Sequence, residues 1–209
     1  MTFETGDLYH IYNQGNDRVR IFFTHANYIF FLNKIKNHIL PYADVLAWCL
    51  MPNHFHLMVY VHTLEIYSGK VLVDSLKNNP ADLNDRPTHK TTINKSIGTL
   101  ESSYTRAINI QEDRSGSLFR IHTHAECLTK TDLHTPSFFN TSGGTLINQH
   151  FAEKEYPQIC FNYIHNNPVK SGLVKYAEDW EFSSYPDYCG LRNGQLINRK
   201  RAEEFGLSL

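Results

Sequence analysis

Two short apolar runs, Ala43–Leu50 and His54–Val61, are separated only by Met51-Pro52-Asn53. Their length and their bounding turn residues predict buried strands rather than helices. Three residues between them leave room for a turn, so the pair reads as a β-hairpin. The second run opens with His54-Phe55-His56. In a strand, residues i and i+2 share a face, so both imidazoles project together while Phe55 points into a core. Two adjacent imidazoles are half of a metal site. The simpler reading of the tripeptide alone is a surface strand that carries two histidines.

Other elements arrange themselves around this hairpin. Tyr9–Asn13 is a short strand stopped by Gln14-Gly15-Asn16-Asp17. Thr24 caps a helix over Asn27–Ile39, with Ile29, Phe30, Leu32, Ile35 and Ile39 as its apolar stripe and Pro41 closing it. Residues 63–95 read as loop, with at most a short helix near Val71–Leu76. Ile93–Ile110 is a helix striped by Ile97, Leu100, Tyr104 and Ile108. After the turn Arg114-Ser115-Gly116, Ser117–Cys127 reads as a strand. Residues 131–150 have the composition of a loop insertion. Phe151–Asn167 is a third long helix, well formed from about Pro157 and stopped by Pro168. The tail offers Trp180, Phe182 and Tyr185 as packing anchors. The order β-α-β-β-α-β-α predicts an α+β fold: a ferredoxin-like antiparallel sheet with helices packed on it, an extra C-terminal helix and a tail over 176–209. All of it reads as one domain, with a core over about residues 8–175.

The totals narrow the function classes. The chain has 209 residues, 41% hydrophobic and 20% charged, which suits a globular domain with a sizeable core. A formal net charge of −1 gives no bulk signal for a nucleic-acid partner, so that claim must rest on local residues. Cys49, Cys127, Cys160 and Cys189 form no Cys-x-x-Cys pair, which argues against a cysteine zinc site. No signal-peptide layout opens the sequence, and no apolar run approaches the ~20 residues that span a bilayer. The expectation is a cytoplasmic protein with reduced thiols and no membrane association.

A metal on His54 and His56 needs further ligands and a reaction. Tyr163 and Asn167 lie four residues apart in the third helix and so share a face. Asn167 offers a neutral amide oxygen. Tyr163 offers a phenol whose pKa, near ~10 in water, makes it a poor nucleophile until activated. Taken singly, a buried aromatic and a helix-end residue are the simpler readings. Tyr104, on the apolar stripe, is the rival nucleophile and is favoured as core; Tyr9 and Tyr12 read as packing residues. His165 falls about 200° round the helix from Tyr163 and should not share the site. His122-Thr123-His124 is a second His-x-His pattern. Together with Arg120 it reads as a polar strand face, solvated or touching DNA phosphates. Lys170, with Lys175 nearby, is a further phosphate contact. Phe22 and Phe23 could stack on unpaired bases, although core packing is the safer assignment.

Several segments together resemble the HUH single-tyrosine transposases of insertion sequences, most closely the REP-associated tyrosine transposase branch. They are Tyr9-His10-Ile11 with Gln14-Gly15, Met51–Leu57, Gly116–Phe119, Tyr163–Val174 and Trp180–Tyr185. The pattern departs from that family at Gln14, where arginine is frequent, and in the length of 131–150. The resemblance implies His54 and His56 as metal ligands, Asn167 as a third, polar ligand, and Tyr163 as the nucleophile. It implies magnesium or manganese as cofactor and, as partner, single-stranded DNA with a hairpin or palindromic element. The implied activity is cutting and rejoining through a 5′-phosphotyrosine intermediate, by a monomer or a homodimer. Two alternatives stay open at this point. One is a module that binds DNA or RNA hairpins without cutting them. The other is a metal-dependent phosphodiesterase that uses water.

Overall fold

The computed structural model describes residues 1–67, 90–130, 137–141, 144–148 and 155–209. In chain order the strands are β1 (Leu8–Gln14), β2 (Ala43–Met51), β3 (His54–Val61), β4 (Glu65–Tyr67), β5 (Lys90–Thr92), β6 (His124–Cys127), β7 (Ser137–Thr141) and β8 (Gly144–Asn148). The helices are α1 (His25–His38), α2 (Ile93–Gln111), α3 (Tyr156–Lys170), α4 (Tyr185–Tyr188) and α5 (Arg199–Glu204). Four strands form the main sheet in the order β2-β3-β1-β6, with every neighbouring pair antiparallel. The predicted hairpin is there, with Met51 opposite His54. Because β3 is antiparallel to both β1 and β2, those two run parallel, joined by the crossover through α1.

Side-chain alternation sorts the sheet into two apolar faces. Tyr9, Ile11, Trp48, Leu50, Phe55, Leu57 and Val59 face one way. They pack with Phe31 and Ile35 of α1 and Ile97, Leu100, Tyr104 and Ile108 of α2. Leu8, Ala47, Cys49, Met51 and Met58 face the other way and pack with Cys160, Phe161 and Ile164 of α3. Helices thus cover both faces, and α3 lies on the histidine side. Tyr104 is core, as its place in the stripe predicted: it is fully buried and its hydroxyl donates to the Ile21 carbonyl. Phe22 is likewise core.

Thr24 caps α1 in a capping box with Asn27. The buried stripe of α1 is not the expected one, however. Tyr28, Phe31, Ile35 and Ile39 are inside, whereas Ile29 and Phe30 are exposed. The run Tyr28–Leu32 is apolar all round, so spacing alone could not choose its inner face. The strand expected over Ser117–Cys127 is regular only from His124; Phe119 makes a single bridge to Gly15. Leu118 and Phe119 are both buried, which breaks strand alternation there. Residues 65–67 and 90–92, read as loop, pair as β4 and β5. The helix expected near 71–76 falls outside the described residues. Residues 137–141 and 144–148, also read as loop, form the antiparallel pair β7–β8. Phe138-Phe139 and Leu146-Ile147 carry strand propensity that an average over the segment's turn residues concealed.

Helix α3 begins at Tyr156 with Pro157 in its first turn; residues 151–154 lie outside the description. It runs through Pro168 to Lys170. A proline so near the end forfeits one hydrogen bond, and the chain continues helically around it. The tail then covers the outer edge of β2. Leu50 N donates to Phe182 O, Ser184 N to Trp48 O, Asn198 N to Val45 O, and Tyr188 Oη to Leu46 O. Trp180 and Phe182 pack there as anchors. No described helix is long and apolar enough to cross a membrane.

Candidate active site

The α3 side of the sheet carries a polar cluster within otherwise apolar packing. Register sets it out: Gln14 is opposite His54, Tyr12 opposite His56, and His10 opposite Met58. Residues directly opposite share a face, so Tyr12, His10 and both predicted histidines lie together. Phe55 points away, against Phe31 and Phe119. Tyr163 of α3 reaches over the cluster. Its ring stands edge-on to His56 with centroids 5.4 Å apart, and 6.1 Å from the ring of His10.

Asn167, one turn on, forms side-chain hydrogen bonds with both His54 and Tyr163, and its Nδ2 also donates to the Tyr163 carbonyl at 3.0 Å. Residues more than a hundred positions apart in sequence therefore meet. The fold brings His54, His56, Tyr163 and Asn167 into one site. His165 does not join them: it is buried on the far side of α3, its Nε2 2.7 Å from Ser184 Oγ, among Phe161, Tyr185 and Tyr188.

Burial sets the electrostatics. It lowers the pKa of His54, against a smaller upward pull from the Asn167 hydrogen bond. Burial lowers His56 well below the usual histidine value, with the neighbouring His10 and His54 adding to the effect. It lowers His10 to about 3. All three imidazoles are thus held towards their neutral form, the one that can donate a lone pair to a metal. Burial raises Tyr163, and Asn167 opposes it through its hydrogen bond. The phenol is therefore protonated at neutral pH.

The ring nitrogens are individually positioned. His54 Nδ1–H donates to Asn53 Oδ1 at 2.7 Å, and His56 Nδ1 lies 2.9 Å from His10 Nε2. His56 Nε2 is buried with no hydrogen-bond partner. Among the described residues no group of three or more His, Cys, Asp or Glu is arranged to hold a metal. Two imidazoles and the Asn167 amide oxygen nevertheless fit a divalent ion, and the orphaned Nε2 of His56 is the atom such an ion would satisfy.

The remaining candidates do not form one patch. Lys170 lies at the site, its ammonium 5.5 Å from the Tyr163 ring centroid. His124, exposed on β6, stacks on Tyr12 with centroids 5.0 Å apart, next to the cluster. Arg120 and His122 precede β6 and are exposed. Arg120 lines an open groove of about 860 Å³ along α2, with Arg106, Arg114 and the exposed Ile121. The expected single strand face through Arg120, His122 and His124 is absent, because the chain becomes a strand only at His124.

Sequence reasoning missed His10, Asn53 and the site-side position of Tyr12. The alternation in Tyr9-His10-Ile11-Tyr12 does put His10 and Tyr12 on one face. Only the pairing of β1 with β3 reveals that this is the face of His54 and His56.

Three comparisons bear on this geometry. No protein-family profile and no curated protein sequence matches the chain. Among solved structures, a REP-associated tyrosine transposase bound to a REP hairpin is similar. It has a TM-score of 0.54 and 15% sequence identity, covering 95% of this chain and 87% of that one. The two chains share a fold.

Proposed function

We propose that this protein is a transposase-like enzyme that cuts and rejoins single-stranded DNA beside a hairpin, with Tyr163 as its nucleophile. The observation that carries the reading is α3 setting Tyr163 and Asn167 over His54 and His56. The succession β-α-β-β-α-β in the order β2-β3-β1-β6 supports a ferredoxin-like core. The fold shared with a hairpin-bound tyrosine transposase supports the substrate class.

His54, His56 and Asn167 would hold a divalent ion, magnesium or manganese. When bound, that ion supplies positive charge to the scissile phosphate, making phosphorus more electrophilic. The three ligands are uncharged, so the site leaves the ion's charge unreduced. Tyr163 Oη attacks phosphorus and gives up its proton. The P–O3′ bond breaks, and the 3′ oxygen leaves with a proton as a free hydroxyl. The DNA stays attached to Tyr163 through a 5′-phosphotyrosine. One phosphodiester replaces another, so rejoining by an incoming 3′-hydroxyl needs no outside energy. Asn167 holds the phenol from one side, and the Lys170 ammonium lies over its ring. Since both halves of the site come from one chain, the reading calls for no partner copy to complete it.

Incubating the protein with hairpin-bearing single-stranded DNA and manganese should give a covalent protein–DNA adduct on a denaturing gel. Tyr163→Phe should abolish it, and an adduct that persists in this variant would sink the assignment. Cleavage that survives Tyr163→Phe but fails in His54→Ala would select water as the nucleophile.

A further inference from the structure

The position of the hydrogen shared by His10 and His56 decides which ring nitrogen of His56 keeps a free lone pair. Neutral imidazole carries a hydrogen on one nitrogen only. His10 Nε2 and His56 Nδ1 are 2.9 Å apart, with the ring planes inclined by 24°. Both side chains are buried, at 6% and 5% exposure, so water does not compete for either atom. Two arrangements are possible. If the hydrogen sits on His10 Nε2, then His56 must carry its own hydrogen on Nε2. That hydrogen would be a buried donor with no partner, and it would occupy the one ring nitrogen of His56 not engaged by His10. If the hydrogen sits on His56 Nδ1, it is donated to His10, and the lone pair of His56 Nε2 is free.

We propose that His10 is a positioning residue: its Nε2 accepts the Nδ1–H of His56, fixing the tautomer and orientation of the ligand ring. This rests on the reading of His54 and His56 as metal ligands. Ligating histidines commonly use their second nitrogen in this way, often with a carboxylate as acceptor. Here a neutral imidazole replaces the carboxylate. The consequence is that the ligand ring is oriented with no negative charge added beside the ion. Asn53 does the same for His54 from the other end of the cluster, through its amide oxygen. The strands supply the placement. His10 lies diagonally across from His56 in the β1–β3 ladder, two pairs along from Tyr12 and on the same face.

The test compares wild type with His10→Phe, which keeps a ring without nitrogen, and His10→Gln, whose amide oxygen can accept. Imidazole 1H–15N correlation spectra of the metal-free proteins report the His56 tautomer, and calorimetry with Mn2+ reports affinity. Wild type should show His56 protonated on Nδ1. His10→Phe should lose that preference and bind Mn2+ roughly 10–100-fold more weakly. His10→Gln should restore affinity to within about threefold of wild type, on the same second-nitrogen logic. A wild-type His56 protonated on Nε2, or a His10→Phe protein with unchanged tautomer and affinity, overturns the proposal. Should His10→Phe fail to fold, the wild-type tautomer and the His10→Gln affinity decide. A wild type with the expected tautomer and no Mn2+ binding keeps His10 as the residue that sets the ring and removes the metal reading instead.

Discussion

At the residue scale, the site depends on contacts too small to leave a mark in composition. Gly15 is one. It ends β1 directly after Gln14, which lies opposite His54, and its N–H donates to the Asn53 carbonyl at 2.8 Å. A Cβ built on Gly15 would stand 2.1 Å from the Val19 carbonyl oxygen, a backbone atom that cannot swing aside. Gly15→Ala should therefore destabilise the protein by about 1–3 kcal/mol through overpacking. The same strain should disturb the Asn53 turn that orients His54. A thermal melt indistinguishable from wild type would show that the turn relaxes freely. Glycine after a strand and before Asn-Asp was legible as a turn. The close approach that requires glycine there was not, because it involves atoms four residues apart brought together by the fold. His10 is the parallel case: nothing local separates it from any other strand histidine.

Elements were more legible than their partners. The stripe Ile97, Leu100, Tyr104 and Ile108 of α2 is buried as spaced, and Thr24 caps α1. What spacing could not show is which strand would lie at a sheet edge. β2 is almost wholly buried and apolar, yet it is an edge strand, and the tail shields it. Ser184 is central to that cover. Its buried Oγ accepts from Trp48 N at 2.9 Å and lies 2.7 Å from His165 Nε2, so one hydroxyl ties tail, β2 and α3 together. Ser184→Ala would leave the Trp48 N–H buried without that partner. The expected loss is about 1–3 kcal/mol. It should be read as a lower urea midpoint with an unchanged slope. A change in slope without a change in midpoint would count against this role.

At the scale of the whole molecule, the buried histidines link stability to pH. Burial lowers His10 and His165 each to about 3, and His56 well below the ordinary histidine value. Unfolded histidines take up protons near ~6.5, whereas the fold keeps these three neutral. Stability from this source is thus fully present above about pH 6.5 and is lost as pH falls towards ~3. The loss reaches roughly 1.4 kcal/mol per pH unit for each histidine. Denaturant midpoints should fall steadily from about pH 6.5 to about pH 5, less steeply in His165→Gln. A flat profile would mean that the unfolded chain gains no protons over the fold.

The sequence by itself determined the hairpin, the long helices, the paired imidazoles, and Tyr163 and Asn167 on one helix face. Each of these is written in spacings of two, three or four residues. Tertiary structure alone decided which sheet face α3 covers, that β1 lies beside β3, and that His10 and Asn53 meet the rings of His56 and His54. Those outcomes depend on pairing between segments remote in sequence, where the apolar pattern permits several partners and only mutual packing and hydrogen bonding select one.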